Sequence, residues 1–380
     1  MSIETSKLQI GSILISEYAR AMIDTDVLGN DVAPVLMGLF GEVGGIMAAA
    51  KKHVREGNAF PGFRAAAEEE FGDALWYFAA LCRRFNVPIE NIFEEITLDA
   101  AFRKSCAASD LFAGAVACIA TPKRVNIDDA LFELGKAAAV LLHAESEDSQ
   151  IHINLKLFAV RYLEALGSTG LSFAAVVRTN QSKAQGAFVT PDPSVLPRFD
   201  DGFETEEQIP NEFRIRIEER KTGKSYLRWN DVFIGDALTD NISDPDGYRF
   251  HDVFHLSYAA ILHWSPVFRA LIKQKRKSKT LYDETEDGGR AIVIEEGLTA
   301  WIFARAKSLN HFEGQGRVSL DILKTIKEFV SGYEVEACPL KLWERAILDG
   351  YSIFRKLRET RGGYVIGNRE SRSIRFEELG

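Results

Sequence analysis

The feature that most narrows what this chain can fold into lies between Gly38 and Tyr77, where carboxylates and large apolar side chains interleave at helical spacing. Glu70 and Asp73, within the run Glu68-Glu69-Glu70-Phe71-Gly72-Asp73, are three residues apart and so project from one face of a helix. Phe71, Leu75 and Phe78 fall on the neighbouring face, which must pack inward. Such a helix needs partners for its apolar stripe. Pro34, Gly57-Asn58, Pro61-Gly62 and Pro88 divide the flanking sequence into helices over about 34–55, 63–86 and 89–107, after an amphipathic helix over about 5–30. Four helices packed up and down are the predicted architecture, mainly α. Glu42 lies on the helix before the acidic cluster, within Gly38-Leu-Phe-Gly-Glu-Val-Gly-Gly. Carboxylates held beside a buried stripe suit Mg²⁺, a hard cation that takes oxygen ligands and keeps waters and substrate phosphates in its shell.

The same stretch resembles the MazG-like, all-α nucleoside triphosphate pyrophosphohydrolases, whose pattern runs roughly GLxGExGE, then KK, then EExGDxLWY. The resemblance implies two antiparallel helices holding Mg²⁺, with Mn²⁺ as the alternative, against a nucleoside triphosphate that is cleaved to monophosphate and pyrophosphate. Glu42 matches the first Glu of the ExxE pair, and Glu70 and Asp73 match ExxD. These three are the implied catalytic metal ligands, with Glu69 the nearest spare carboxylate. Lys51 and Lys52 match the basic pair that holds the leaving pyrophosphate, and Trp76 and Tyr77 the aromatic pair that walls a base pocket. The second Glu of ExxE falls on Gly45. A Glu restored there is expected to tighten Mg²⁺ binding. The alternative to turnover is a catalytically weakened nucleotide-binding or regulatory module.

The unit then repeats faintly over 125–188: Ala130-Leu-Phe-Glu-Leu-Gly echoes Gly38-Leu-Phe-Gly-Glu-Val. The segment Leu171 to Lys183 resembles the family's closing helix, which implies that Asn180 and Lys183 approach the nucleotide. The expectation is therefore a tandem unit over 1–188, with an active-type repeat over 30–107 and a degenerate repeat over 125–188 packed as an intramolecular pseudo-dimer. A homodimer is a further assembly open to it.

Residues 189–211 are rich in proline and acidic side chains and read as a linker or a wrapping arm. A helical C-terminal domain follows over 212–380, with one β-hairpin, since Glu212-Phe-Arg-Ile-Arg-Ile-Glu alternates at period two and turns at Lys221-Thr-Gly-Lys224. There His251 and His255 stand four apart with Asp252 between, the HDxxH spacing that turns two imidazoles the same way. Glu295 and Glu296, about forty residues on, are carboxylates that could complete a second, separate metal-dependent hydrolase site. The other reading makes His255 a core histidine bonded to a backbone carbonyl, with His251 and Asp252 a polar helix start. The basic run Lys273 to Lys279 reads as a solvated helix end, and the last twenty residues as a loosely held tail.

A net charge of −9 argues against a nucleic-acid partner. Four scattered cysteines, Cys82, Cys106, Cys118 and Cys338, read as reduced thiols. No signal peptide and no apolar run of bilayer length are evident, so a cytoplasmic protein without a membrane partner is expected. Walker A, GxGxxG and GxSxG signatures are missing from the sequence, which disfavours ATP-driven mechanics, dinucleotide redox chemistry and α/β-hydrolase chemistry.

Overall fold

The computed structural model describes residues 14–60, 62–100, 126–144 and 150–380. The expected helices over 5–30 and 89–107, and the repeat over 125–188, each run partly outside this set. The chain is mainly α and divides into two compact units, Met1–Val189 and Thr190–Gly380.

The first unit consists of α1 (Ile15–Ala21), α2 (Ala33–Glu56), α3 (Phe63–Arg84), α4 (Ile89–Leu98), α5 (Ile127–Leu141), α6 (Ile151–Thr169) and α7 (Phe173–Phe188). Its ends follow local chemistry. Pro34 sits in the first turn of α2, where a missing N–H costs nothing. Asn126 and Ser172 cap α5 and α7 by accepting from backbone N–H groups of the first turn, and α6 stops at Gly170 with φ of 72°. Helix α2 pairs with α3, and α5 with α6; α7 then lies on α3, and α5 on α2. Phe71, Leu75 and Phe78 are buried as the spacing required, among Phe93, Phe158, Tyr162 and Phe173.

The first helix ends earlier than its sequence pattern, at Ala21. After Ala21 the chain tightens into a 3₁₀ turn, Ile23–Thr25, and Asp26 is drawn onto Arg83 and Arg84 at the end of α3. That ion pair turns the chain where a continued helix would carry Asp26 away. Helix α2 with its 3₁₀ extension is long and apolar enough, by length and composition, to cross a membrane. Its Val35, Leu36, Leu39, Val43, Ile46 and Ala49 are buried in the unit's own core, as in the central helix of a globular bundle.

The second unit differs from expectation in its β content. The expected hairpin is part of a five-stranded antiparallel sheet, ordered β3-β2-β1-β4-β5, made of β1 (Glu212–Glu219), β2 (Ser225–Trp229), β3 (Val232–Leu238), β4 (Gly362–Asn368) and β5 (Ser373–Glu377). The last twenty residues are therefore not a loose tail. Strand β4 pairs along β1, with Ile215 opposite Val365 and Ile217 opposite Gly363. The helices are α8 (Asp252–Ile261), α9 (Pro266–Ile272), α10 (Thr280–Thr285), α11 (Gly289–Lys307), α12 (Leu320–Phe329) and α13 (Leu340–Thr360). Helices α8 and α13 pack together and on β4 and β5.

Residues 190–211 lie on this unit: Leu196 and Ile209 join its core, and the buried Asp200 carboxylate is held by Arg269 and Arg369. The basic run is not simply a solvated helix end either. Arg276 within it is fully buried and gives charge-assisted hydrogen bonds of 2.7 Å to Asp287 and 2.6 Å to Glu334. A guanidinium so enclosed is structural, because losing either partner would strand a charge in the core.

Candidate functional site

In the first unit the carboxylates of α2 and α3 are brought together and closed over by α7. The closing contact is a relay. The buried Tyr18 hydroxyl donates to Asn180 Oδ1 at 2.7 Å, which turns the amide nitrogen toward Asp73; that nitrogen donates to Asp73 Oδ1 at 3.0 Å. Lys183, one turn along, donates to Glu69 Oε1 at 2.8 Å and also to Asp73 Oδ2. Thr179 adds a bond of 2.7 Å to Glu68. Asn180 and Lys183 thus meet the acidic face of α3 from a helix more than a hundred residues away in sequence.

The approach depends on Gly72. A Cβ there would lie 2.9 Å from the Cβ of Asn180, so only glycine lets α7 come this close to α3. Gly45 serves the carboxylates in the same way: a Cβ at 45 would fall 2.2 Å from Glu70 Oε2. The space a side chain at 45 would fill is the space Glu70 occupies. A Glu at 45 would therefore offer its carboxylate only where Glu70 moves aside.

Glu42 is half-buried and faces this crowd. Burial, a hydrogen bond with Glu70, and the charges of Asp73 and Glu70 raise its carboxyl from 4.5 to about 8, with Lys183 opposing them. Three carboxylates facing one ammonium carry an excess of negative charge, which favours the protonated form of Glu42. A divalent cation could balance such a donor set, which offers the oxygen ligands that Mg²⁺ prefers.

The aromatic pair is placed differently for each member. Trp76 gives its indole N–H to Thr25 Oγ1 at 2.7 Å and packs edge-on against Tyr77. Burial, then Glu42 and Asp73, raise the Tyr77 phenol, so Tyr77 lies within the field of the cluster. Lys51 and Lys52 are exposed on α2. Nine and ten residues beyond Glu42, they stand about 14 Å along the helix axis from it and are not in the cluster.

The second unit gathers its own constellation. His251 Nδ1 lies 2.9 Å from the Tyr248 carbonyl, which can only accept, so Nδ1 donates to it and Nε2 is turned toward Glu296. The Tyr248 ring stacks on His251 at 4.3 Å. His255, fully buried, meets Glu295 Oε1 at 2.9 Å through Nδ1. Glu295 is itself fixed by Ser265 Oγ at 2.6 Å and by the Val267 N–H at 2.8 Å. His255 is therefore bonded to a carboxylate rather than to a backbone carbonyl. Burial pulls its pKa down, but Glu295 and Glu296 outweigh burial and raise it to about 10. Among the described residues, His251, Asp252 and His255 form the one group of three whose ligand atoms all lie within 4.8 Å of one another.

Residues 194–380 match the MazG C-terminal domain family. The second unit is thus related to the MazG family, although the motifs that resemble that family lie in the first. No curated protein and no solved structure matches the chain.

Tyr18, Tyr248 and Ser265 help carry both constellations and were not singled out from sequence, while Gly72 was visible only as the Gly of the EExGDxLWY pattern, with no role given to it. Tyr18 and Gly72 act only through contacts with a distant helix. Tyr248 and Ser265 had a local signal, each lying a few residues from the HDxxH helix.

Proposed function

We propose that the chain is a Mg²⁺-dependent nucleoside triphosphate pyrophosphohydrolase whose site is the carboxylate cluster of the first unit. The observation that carries this reading is the closing of α7 on the acidic face of α3, where Asn180 and Lys183 meet Asp73 and Glu69 beside the half-buried Glu42. The MazG C-terminal match supports it, since the resemblance of the first unit and the match of the second point to the same family.

Glu42, Glu70 and Asp73 would hold Mg²⁺, which when bound neutralises the triphosphate and lowers the pKa of a coordinated water. Glu69 would accept a proton from the attacking water, and Lys183, which pairs with it, would balance the charge that Glu69 and the phosphates bring. Asn180, with its amide orientation fixed by Tyr18, holds Asp73 in position. Water oxygen bonds to phosphorus as the bond between the α and β phosphates breaks, giving monophosphate and pyrophosphate. Tyr77 would border the nucleotide, with Trp76 fixing its ring. Lys51 and Lys52 act at longer range, as charges that steer an anionic substrate.

A second reading, a nucleotide-binding module without turnover, is favoured by two observations: Gly45 supplies no ligand, and Lys183 already pairs with Asp73 and Glu69. The two readings part on activity. Glu70→Gln and Asp73→Asn should each abolish Mg²⁺-dependent nucleotide hydrolysis while circular dichroism stays unchanged. Full activity in both variants would remove the cluster from the mechanism.

A further inference from the structure

We propose that the second unit carries a metal centre of its own, a divalent first-row transition-metal site built by His251, His255, Asp252 and Glu296. It is separate from the carboxylate cluster and does not depend on the reading given to that cluster.

The central observation is an orphaned nitrogen. His255 Nε2 is buried with no hydrogen-bond partner, on a side chain that is 0% exposed. A buried polar atom left so is uncommon and costly unless something fills the gap. Its nearest polar neighbour is the Glu296 carboxylate, with Oε2 at 3.5 Å, and the same oxygen lies 3.6 Å from His251 Nε2. These distances exceed the roughly 2.7–3.2 Å of an N–H···O bond. They match the spacing between two ligands of one metal: with bonds of about 2.1 Å, neighbouring corners of a tetrahedron lie about 3.4 Å apart.

The tautomers point the same way. Each imidazole has its Nδ1 committed, to the Tyr248 carbonyl in His251 and to the Glu295 carboxylate in His255. Each Nε2 is thereby the nitrogen turned toward Glu296, and a metal bound there takes the place of any proton it carries. A carboxylate behind a histidine is the usual support of a metal-bound imidazole, fixing the ring and raising its basicity. Glu295 is well suited to this, since Ser265 and the Val267 N–H lock it in a buried position.

Adjacent positions on α11 diverge by about 100°, so Glu295 turns inward to support the ring while Glu296 faces the two free nitrogens. Asp252, at the first position of α8, has a carboxylate oxygen within 4.8 Å of a ring nitrogen of each histidine. Two imidazoles with carboxylates select Mn²⁺, Fe²⁺, Co²⁺ or Zn²⁺ over Mg²⁺ and Ca²⁺, which prefer oxygen alone. The Glu296 side chain is 41% exposed, so one side of the site reaches solvent and leaves room for a water or a substrate ligand.

The test is a Co²⁺ titration of the metal-stripped full chain carrying Glu70→Gln, so that the first unit's cluster is weakened, read by visible absorption. The expected result is one equivalent bound with the bands of nitrogen- and oxygen-coordinated Co²⁺, bleached by one equivalent of Zn²⁺. Glu296→Gln and His251→Ala should each weaken binding at least tenfold, with thermal melting of the metal-free variants unchanged. Glu295→Gln, at a positioning residue, should weaken binding and shift the Co²⁺ bands while stoichiometry stays at one. Failure of the chain to bind Co²⁺, Zn²⁺ or Mn²⁺, or equal binding in Glu296→Gln and His251→Ala, would overturn the proposal.

Discussion

Glu42 sets the charge balance of the first unit's site. Its folded-state pKa of about 8 lies above the ordinary value of 4.5, so the fold favours its protonated form. The stability this lends is complete below the ordinary value and is lost as pH rises through about 8. A metal needs the carboxylate, so Mg²⁺ binding at pH 7 should release about one proton, and affinity should climb toward pH 8. Calorimetry in two buffers of different ionisation enthalpy reads this directly. Wild type should show the release and Glu42→Gln should not; Mg²⁺ binding without proton release in wild type would contradict the charge accounting. Gly45 offers a second test at this scale. Gly45→Ala replaces a poor helix former and should raise intrinsic helix stability by up to about 1 kcal/mol. The new Cβ would stand 2.2 Å from where Glu70 Oε2 now lies, so the flexible carboxylate must swing away. The expected outcome is an unchanged or raised melting temperature together with weaker Mg²⁺ binding. Weaker stability with unchanged metal affinity would show that Gly45 serves the backbone and not the site.

At the scale of elements, the contact between α3 and α7 decides whether Asn180 and Lys183 reach the carboxylates. Gly72→Ala would set a methyl 2.9 Å from the Asn180 Cβ, an atom close to the backbone that cannot step aside cheaply. It should cost about 1–3 kcal/mol, measured by urea unfolding, and weaken nucleotide binding with it. Wild-type stability in Gly72→Ala would mean the helices are not held as tightly as the geometry shows. Helices were legible in the sequence because their signals are local: Pro34 near the start of α2, Gly57 at its end, and the 3.6-residue stripe of Phe71, Leu75 and Phe78. Strands β4 and β5 were not. Strand β4 contains Gly362, Gly363 and Gly367, which weaken any strand pattern, and its partner β1 lies about 150 residues earlier. Gly363 and Gly367 make sense only in the folded sheet, where the rings of Phe376 and Phe213 lie over the places their side chains would take.

At the scale of the whole molecule, each unit has its own core and its own cluster of titratable side chains. The carboxylates Glu42, Glu70 and Asp73 and the pair His251 and His255 were visible as patterns, because each set falls on one helix face or on two neighbouring helices. What closes them was hidden: Tyr18 behind Asn180, and Ser265 behind Glu295, lie across loops and helices whose packing no short spacing reveals. The central claim is that the first unit breaks the bond between the α and β phosphates. The most direct measurement is ³¹P NMR of a nucleoside triphosphate incubated with the full chain and Mg²⁺, recorded from the first turnovers. Monophosphate and pyrophosphate should appear together in equal amounts, with no diphosphate and no early orthophosphate. Diphosphate with orthophosphate as the first products would contradict the account.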